Sequence, residues 1–442
     1  VLYLLGVIFL LLGVGVSIAL HEIGHLLPAK KFGVKVTQYM VGFGPTIWSR
    51  RKGETEYGVK AIPLGGYIRM IGMFPPARGQ DDGMARVSST GRFSQMADQM
   101  REAAYEPIPA KDRDRVFYKL ATWKKVVIMF GGPFMNLVIA LVLLIVIASG
   151  IGLPVQKSAS IAKVQQCQAL SDGTVPQTCS AADRTPAAAA GLKEGDRVLS
   201  AGGEAVTTTS DLTDVIRSHA GQAVPIVVQR GDQRLTLTVT PQQRLMPKLD
   251  KSGTEVVNWK GQVETEQVGV MSASIGGTYR TERQSIPAAL GTFGDALQRT
   301  ASVFVKIPQK MVGVGYAAFG DGTRDKNGPQ SVVGVGRTAG DVASAPASFG
   351  DKLTFLLMII ASLNLALFVF NLVPLLPLDG GHIAGALWEA VKRRIARARG
   401  IEGPVYVDVA KALPIAYAVS IVLLVMFGLL AYADIVNPIK LG

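Results

Sequence analysis

The stretch His21-Glu22-Ile23-Gly24-His25 closes a run, Val1 to Leu20, that contains no charged residue. On a helix, two histidines four positions apart lie one above the other on one face. That face can offer two imidazole nitrogens to a single zinc ion. The glutamate beside the first histidine can then act as a base on water activated by the ion. The chain has only 4 histidines, which makes a chance H-E-x-x-H a poor explanation. The competing reading is a pair of core histidines in a buried helix. Ionisable groups that end an apolar helix are costly in lipid, however, and mark functional positions.

The 442 residues carry a net charge of +13 and are 48% hydrophobic, with a mean hydropathy of +0.30. That length allows more than one domain. The apolar excess is gathered into four uncharged runs, Val1–Leu20, Val126–Gln156, Leu353–Leu378 and Ala412–Ala433. Each is long enough to cross a hydrocarbon core of ~30 Å, which needs roughly 20 helical residues. A signal peptide is the other reading of Val1–Leu20. Against it, Leu11–Leu20 runs straight into the histidine motif and no small-residue cleavage pattern precedes it.

The positive charge is placed, not scattered. Lys30, Lys31 and Lys35 follow the first run, and Lys111, Arg113, Arg115, Lys119, Lys124 and Lys125 lead into the second. Lys392, Arg393, Arg394, Arg397 and Arg399 lie between the third and fourth. Basic residues near span ends mark the cytoplasmic side of a membrane, so the charge needs no nucleic-acid partner. Both basic stretches belong inside, and four spans allow this only with both termini outside. The segment from about 157 to 350 is then extracytoplasmic. It holds the only cysteines, Cys167 and Cys179. An oxidising compartment permits a disulfide between them, and two free thiols are equally compatible. Without histidine neighbours they do not suggest a second zinc site.

Between the first two runs, Glu56–Met70 (EYGVKAIPLGGYIRM) reads as two short strands around Pro63 and Gly65-Gly66. A strand edge there can pair with an extended peptide. Gly79–Ser89 is polar and turn-rich, and Arg92–Tyr105, with Phe93, Met96 and Met100 at helical spacing, predicts an amphipathic helix on the inner surface. Gly131-Gly132-Pro133 and Asn136, which open the second run, read as helix-packing residues.

From 155 the composition becomes that of a soluble domain. It predicts a short helix, turn and strand over Pro186–Leu199, a helix over Asp211–His219, and a hairpin of Val224–Gln229 and Arg234–Thr240 around Gly231-Asp232. His219 reads as a surface or helix-ending residue. Residues 244–285 show no clear pattern. Ala289–Met311 has apolar residues at helical intervals interrupted by charge, which predicts an amphipathic helix and not a span.

A catalytic zinc needs three protein ligands and one open position. The third run ends Asn371-Leu-Val-Pro374-Leu-Leu-Pro377-Leu-Asp379-Gly380-Gly381-His382. Two prolines break the helix and a carboxylate follows. The first and third spans both run from outside to inside. His21 and Asp379 are similar numbers of residues from their outer ends, so at ~1.5 Å per residue they reach a similar depth. Asp379 is therefore the expected third ligand. His382 is a rival, read more readily as a neighbour that supports the ligands.

These motifs together closely resemble those of the site-2 protease family of intramembrane zinc metalloproteases. The pairing of HEIGH with NLVPLLPLDGG carries the resemblance. GGPFMN, AIPLGGY and Gly328-Pro329-Gln330-Ser331-Val332 add to it. AGLKEGDRVLS and the closing strands of the middle domain resemble a PDZ domain. VGFGPTIWSRRKGETEYGVKA and the paired cysteines suggest the actinobacterial branch, whose members regulate envelope sigma factors.

The resemblance implies His21, His25 and Asp379 as zinc ligands and Glu22 as catalytic base. It implies roles in substrate handling for Asn371, Pro374 and Pro377, and by the hairpin for Gly65 and Gly66. It further implies single-span membrane substrates such as anti-sigma factors, cut after an outer protease has trimmed them, with the PDZ domain helping to exclude untrimmed ones.

The expected fold is a polytopic α-helical membrane protein with about four transmembrane helices, a cytoplasmic-side β-hairpin region and one inserted extracytoplasmic α+β PDZ domain. The expected divisions are a helix with HExxH at 1–27, the hairpin and amphipathic region at 28–121, a span at 122–154, and the PDZ domain at 155–243. A following region at 244–350, a span with the proline motif at 351–382, a basic cytoplasmic loop at 383–411 and a span at 412–436 complete the chain. Two other readings stand beside this one. A membrane zincin of another class, acting in protein quality control, would usually take glutamate as its third ligand. A PDZ-bearing scaffold with a structural metal would need a closed four-ligand site.

Overall fold

The computed structural model describes residues 1–73, 109–169, 174–249, 256, 263–320, 324, 328–401, 406–407 and 413–439. The expected helix over Arg92–Tyr105 and the turn-rich Gly79–Ser89 lie outside them. The chain forms two compact units, Val1–Ile147 with Ile286–Gly442, and Ala148–Ser285.

The first unit opens with α1 (Leu2–Lys31), which runs well past Leu20 and carries the whole histidine motif. Lys30 and Lys31 occupy its last turn, where positive charge suits the helix dipole. Gly33, at φ +83°, turns the chain out of it. Strands β1 (Val36–Lys52) and β2 (Thr55–Met70) pair antiparallel, and both bend. Tyr39 of β1 faces Tyr57 on one side and Ile68 on the other, while Arg50 and Arg51 pair with Tyr57 and Glu56. The two short strands expected within Glu56–Met70 are the two arms of β2. Helix α2 (Thr122–Ile145) follows and continues as a π-helix through Val146–Ile151.

The second unit holds a six-stranded antiparallel sheet. Its strands are β3 (Leu153–Val164), β4 (Arg197–Ala201), β5 (Glu204–Ala205), β6 (Val224–Arg230) and β7 (Gln233–Val239), closed by a strand from beyond residue 243. Helix α3 (Pro186–Ala189) precedes β4 and α4 (Thr209–Ser218) precedes β6. Strands β8 (Gln242–Pro247) and β9 (Thr265–Val270) pair with each other, and β10 (Ala273–Glu282) pairs along β3 in the order β10-β3-β4-β6-β7. The sheet is thus completed by the segment in which the sequence shows no clear pattern, and the unit extends to Ser285.

Alternation in β6 buries Val224, Ile226 and Val228 against Leu212 and Ile216 of α4. Thr208 and Asp211 form a reciprocal cap at the start of α4. His219 ends that helix, its ring at 2.8 Å from the Val215 carbonyl. Cys167 and Cys179 form a disulfide, with Cα atoms 5.7 Å apart.

The first unit resumes with α5 (Ile286–Val305) and α6 (Ile307–Phe319). The single helix expected over Ala289–Met311 is split, because Pro308 suits only the first turn of a new helix. Then come α7 (Val332–Ser344), α8 (Phe349–Asn371), α9 (Asp379–Ala398) and α10 (Leu413–Val436). The third span stops at Asn371, short of the expected Leu378, since Pro374 and Pro377 cannot continue it. The basic stretch after residue 383, expected as a loop, is helical to Ala398. Its alanine, leucine, glutamate, lysine and arginine are strong helix formers, and their charge does not prevent a helix.

Among the described residues, four helices are long and apolar enough to cross a membrane: α1, α2 with its extension, α8, and Pro414–Val436 within α10. The chain is therefore a multi-pass membrane protein with β-sheet regions. In lipid, helices associate through small residues and interhelical hydrogen bonds. Both devices are present: Gly6 of α1 lies against Ala339 and Ala343 of α7, and Asn364 of α8 donates to the Ser17 hydroxyl of α1 at 2.9 Å.

Candidate metal centre

The site begins where α1 and α2 cross. A Cβ on Gly24 would lie 2.2 Å from the Gly131 carbonyl oxygen, and one on Gly131 would lie 2.0 Å from that of Gly24. Only glycine at both positions lets these backbones touch. The contact brings His25 of α1 within reach of α2, where its Nδ1 lies 2.7 Å from the Ile128 carbonyl oxygen. With a proton on Nδ1 donated to that carbonyl, the ring turns an unprotonated Nε2 the other way.

Nε2 of His25 faces Nε2 of His21 at 3.2 Å. Both face the same oxygen of Asp379, each at 3.4 Å. Donors ~2.0–2.1 Å from a tetrahedral zinc lie roughly 3.3–3.4 Å apart. Two imidazoles and a carboxylate at this separation, among the groups that could hold a metal, fit zinc in kind and in spacing. A further observation supports the fit. A Cβ on Gly132 would stand 2.1 Å from His25 Nε2 and 2.7 Å from His21 Nε2. The missing side chain keeps clear the space between the donors.

Asp379 arrives from the far end of the sequence. Residues 372–378 fold back on the first turn of α9, where Cβ atoms on Gly380 and Gly381 would collide with the backbone of Leu372–Val373 and Leu375–Leu376. The Leu376–Pro377 bond is cis. The diglycine after Asp379 is thus a close-packing requirement of the proline turn. A second tie holds α9 to α2: Lys125 and Glu389, both buried, pair at 2.8 Å. Its neighbour His382 is not among the three converging groups. It lines a small cavity with Lys125 and Glu389.

The sheet closes another side. Glu22 is buried, at 8% exposure, and interacts with the backbone of Ile68 in β2. Gly66 lies so close that a Cβ there would be 3.0 Å from the Glu22 side chain, while Gly65 takes φ +87° beneath the Phe43 ring. Tyr39 of β1 donates to the Ala19 carbonyl of α1 at 2.8 Å. Burial, helped by the Glu22 charge, pushes the Tyr39 hydroxyl up to about 12, so it remains a donor across the physiological range. Asn371 is half-buried at the end of α8, and Pro374 and Pro377 are exposed in the turn that follows.

The structure thus brings together His21, Glu22, His25, Asp379 and Gly66. It adds Ile128, Gly132 and Asn136 of α2, of which Gly132 and Asn136 read from the sequence as helix-packing residues. Asn136 has a specific partner, since its amide lies 3.0 Å from His21 Nδ1. The signal available in the sequence was the spacing 128, 132, 136, one face of one helix.

The sequence model described as "Peptidase family M50" matches residues 9–415. This chain belongs to peptidase family M50. It is similar to the zinc metalloprotease Rip1 of Mycobacterium tuberculosis strain H37Rv, with 35% identity over 446 residues, covering 100% of this chain and 99% of the relative. The zinc metalloprotease Rip1 of Mycolicibacterium smegmatis is 33% identical, over 99% of this chain and 98% of its own. The zinc metalloprotease RasP of Geobacillus kaustophilus is 26% identical, over 86% and 88%. The M50 chain is accordingly a zinc metalloprotease of the site-2 type, an intramembrane enzyme acting on membrane proteins.

Proposed function

We propose that His21, His25 and Asp379 hold the zinc ion and that Glu22 is the catalytic base. The observation that carries this is the meeting of three donor atoms at 3.2–3.4 Å beside a buried carboxylate. When bound, zinc supplies Lewis acidity that activates water and polarises a peptide carbonyl. Glu22 accepts the proton as water oxygen bonds to the carbonyl carbon. It returns that proton to the departing nitrogen as the C–N bond breaks. Asp379 balances part of the positive charge and leaves Glu22 free for proton transfer.

A transmembrane substrate arrives as a helix whose carbonyls are already bonded, so a turn must unwind before attack. The Gly66–Arg69 arm of β2, next to Glu22, can hold the unwound segment by main-chain pairing. Asn371 and the Pro374 and Pro377 turn would take part in handling the substrate, a role that rests on the family resemblance of the NLVPLLPLDGG motif. Single-span proteins already trimmed outside the membrane, such as anti-sigma factors, suit a site of this kind. Removal of zinc from the purified enzyme with a chelator should abolish cleavage of such a substrate, and added zinc should restore it. Undiminished cleavage after demonstrated metal loss would refute the assignment.

The same reading places both termini and the Ala148–Ser285 unit outside the cytoplasm, with the metal centre towards the inside. Residues 155–243 of that unit are assigned as a PDZ domain, on the AGLKEGDRVLS motif and the closing strands. The charge asymmetry of the flanking segments supports the orientation. The disulfide leaves no free cysteine in the chain, so Ser210→Cys introduces a single reactive thiol at an exposed position of α4. A membrane-impermeant maleimide should label it in cells with an intact plasma membrane. Labelling only after permeabilisation would reverse the topology.

A further inference from the structure

One face of α2 looks at both histidines. Ile128 offers its carbonyl to His25 Nδ1, Gly132 leaves room at the two Nε2 atoms, and Asn136 sets its amide against His21 Nδ1. Asn136 is fully buried, and its Oδ1 has no hydrogen-bond partner among the described residues. A histidine that gives the Nε2 lone pair to a metal carries its proton on Nδ1, and that proton needs an acceptor. The Ile128 carbonyl meets the need for His25.

At His21 the present arrangement points Nδ2 of Asn136, a donor, at Nδ1. That arrangement puts the histidine proton on Nε2, where a metal cannot bind, and it orphans Oδ1. The two ends of a carboxamide have the same shape, and a half-turn exchanges them. The exchanged amide places Oδ1 on the Nδ1–H and frees Nε2.

We propose that Asn136 is a positioning residue: its carboxamide oxygen accepts the Nδ1–H of His21 and holds the tautomer that presents Nε2 to zinc. The inference rests on the zinc-site reading above. It makes the Ile128–Gly132–Asn136 face a single orienting element, with one acceptor for each histidine and a gap between them.

The test uses the full chain in detergent, with zinc affinity read by chelator competition and the Co(II) absorption spectrum as a second signature. Folding is checked by size-exclusion chromatography. Asn136→Asp keeps an acceptor at Nδ1, whereas Asn136→Leu and Asn136→Ala remove it. Leucine roughly preserves the volume.

The Asp variant should bind zinc within about 3-fold of the parent, while Leu and Ala should bind about 10–100-fold more weakly. Their Co(II) spectra should shift. If the Leu variant does not fold, the Asp and Ala pair makes the same comparison. Parent-like affinity in the folded Leu or Ala variants would overturn the proposal and leave Asn136 as a packing residue. So would an Asp variant as weak as Ala. A parent chain that binds no zinc would instead overturn the zinc-site reading itself.

Discussion

Glu22→Gln is expected to keep about one zinc per chain and to lower peptide cleavage by about 10²–10⁴-fold, the range general acid–base catalysis supplies. The carboxamide has the shape of the carboxylate, so the contact with Gly66 and the backbone of Ile68 should survive. What is lost is the ability to take a proton from water and hand it to the leaving nitrogen. The three converging donors are untouched by the change, which should leave metal binding intact. Metal analysis of the purified variant beside a cleavage assay on a single-span substrate decides the matter. Near-normal turnover in a zinc-loaded variant would remove Glu22 from the mechanism. Loss of zinc in parallel with activity would assign it to the metal site instead.

Gly132→Ala should fail earlier, at metal binding. Its new methyl group would stand 2.1 Å from His25 Nε2 and 2.7 Å from His21 Nε2. Neither ring can easily retreat. His25 is tied through Nδ1 to the Ile128 carbonyl, and α1 cannot move away without opening the Gly24–Gly131 contact. Zinc affinity should fall by at least about 100-fold, the upper end of what loss of a ligand's supporting partner costs, because here the donor atoms themselves are obstructed. Cleavage should disappear with the metal.

Gly15→Ala is the control. A Cβ there meets nothing within 4 Å, and alanine is the better helix former, so this variant should retain both zinc and activity. Zinc per chain is measured for both proteins after identical purification. Parent-like zinc content in Gly132→Ala would show that the donors converge elsewhere than beside this glycine.

Several features were legible without coordinates because their causes are local or set by the solvent. Bilayer thickness dictates the length of a spanning helix, so four uncharged runs read as spans at the right places. Their ends were less legible. Nothing in lipid composition stops α1 at Leu20, and the proline turn ends α8 before the apolar run does. The basic segment after His382 joins two spans and is expected as a loop, although its residues favour helix. In the second unit the hairpin of β6 and β7 announced itself by alternation around Gly231-Asp232. Strand β10 did not: it contributes little to the buried core, and its place is fixed by main-chain pairing along β3.

The candidate site divides in the same way. His21, Glu22 and His25 were readable from the sequence by itself, since a four-residue step on a helix fixes their mutual geometry wherever the helix goes. Residue counts along the first and third spans put Asp379 only at a similar depth to His21; its approach to the histidines is made by the turn of residues 372–378, after α8 has ended at Asn371. Only the tertiary structure decided which face of α2 the histidines meet. Gly132 and Asn136 lie on a stripe that any apolar helix could use for packing. The backbone contact of Gly24 with Gly131 sets the rotation of α2 about its axis and turns that stripe towards His21 and His25. The partner of His25 is a main-chain carbonyl, a group that every residue carries and no side-chain pattern reveals.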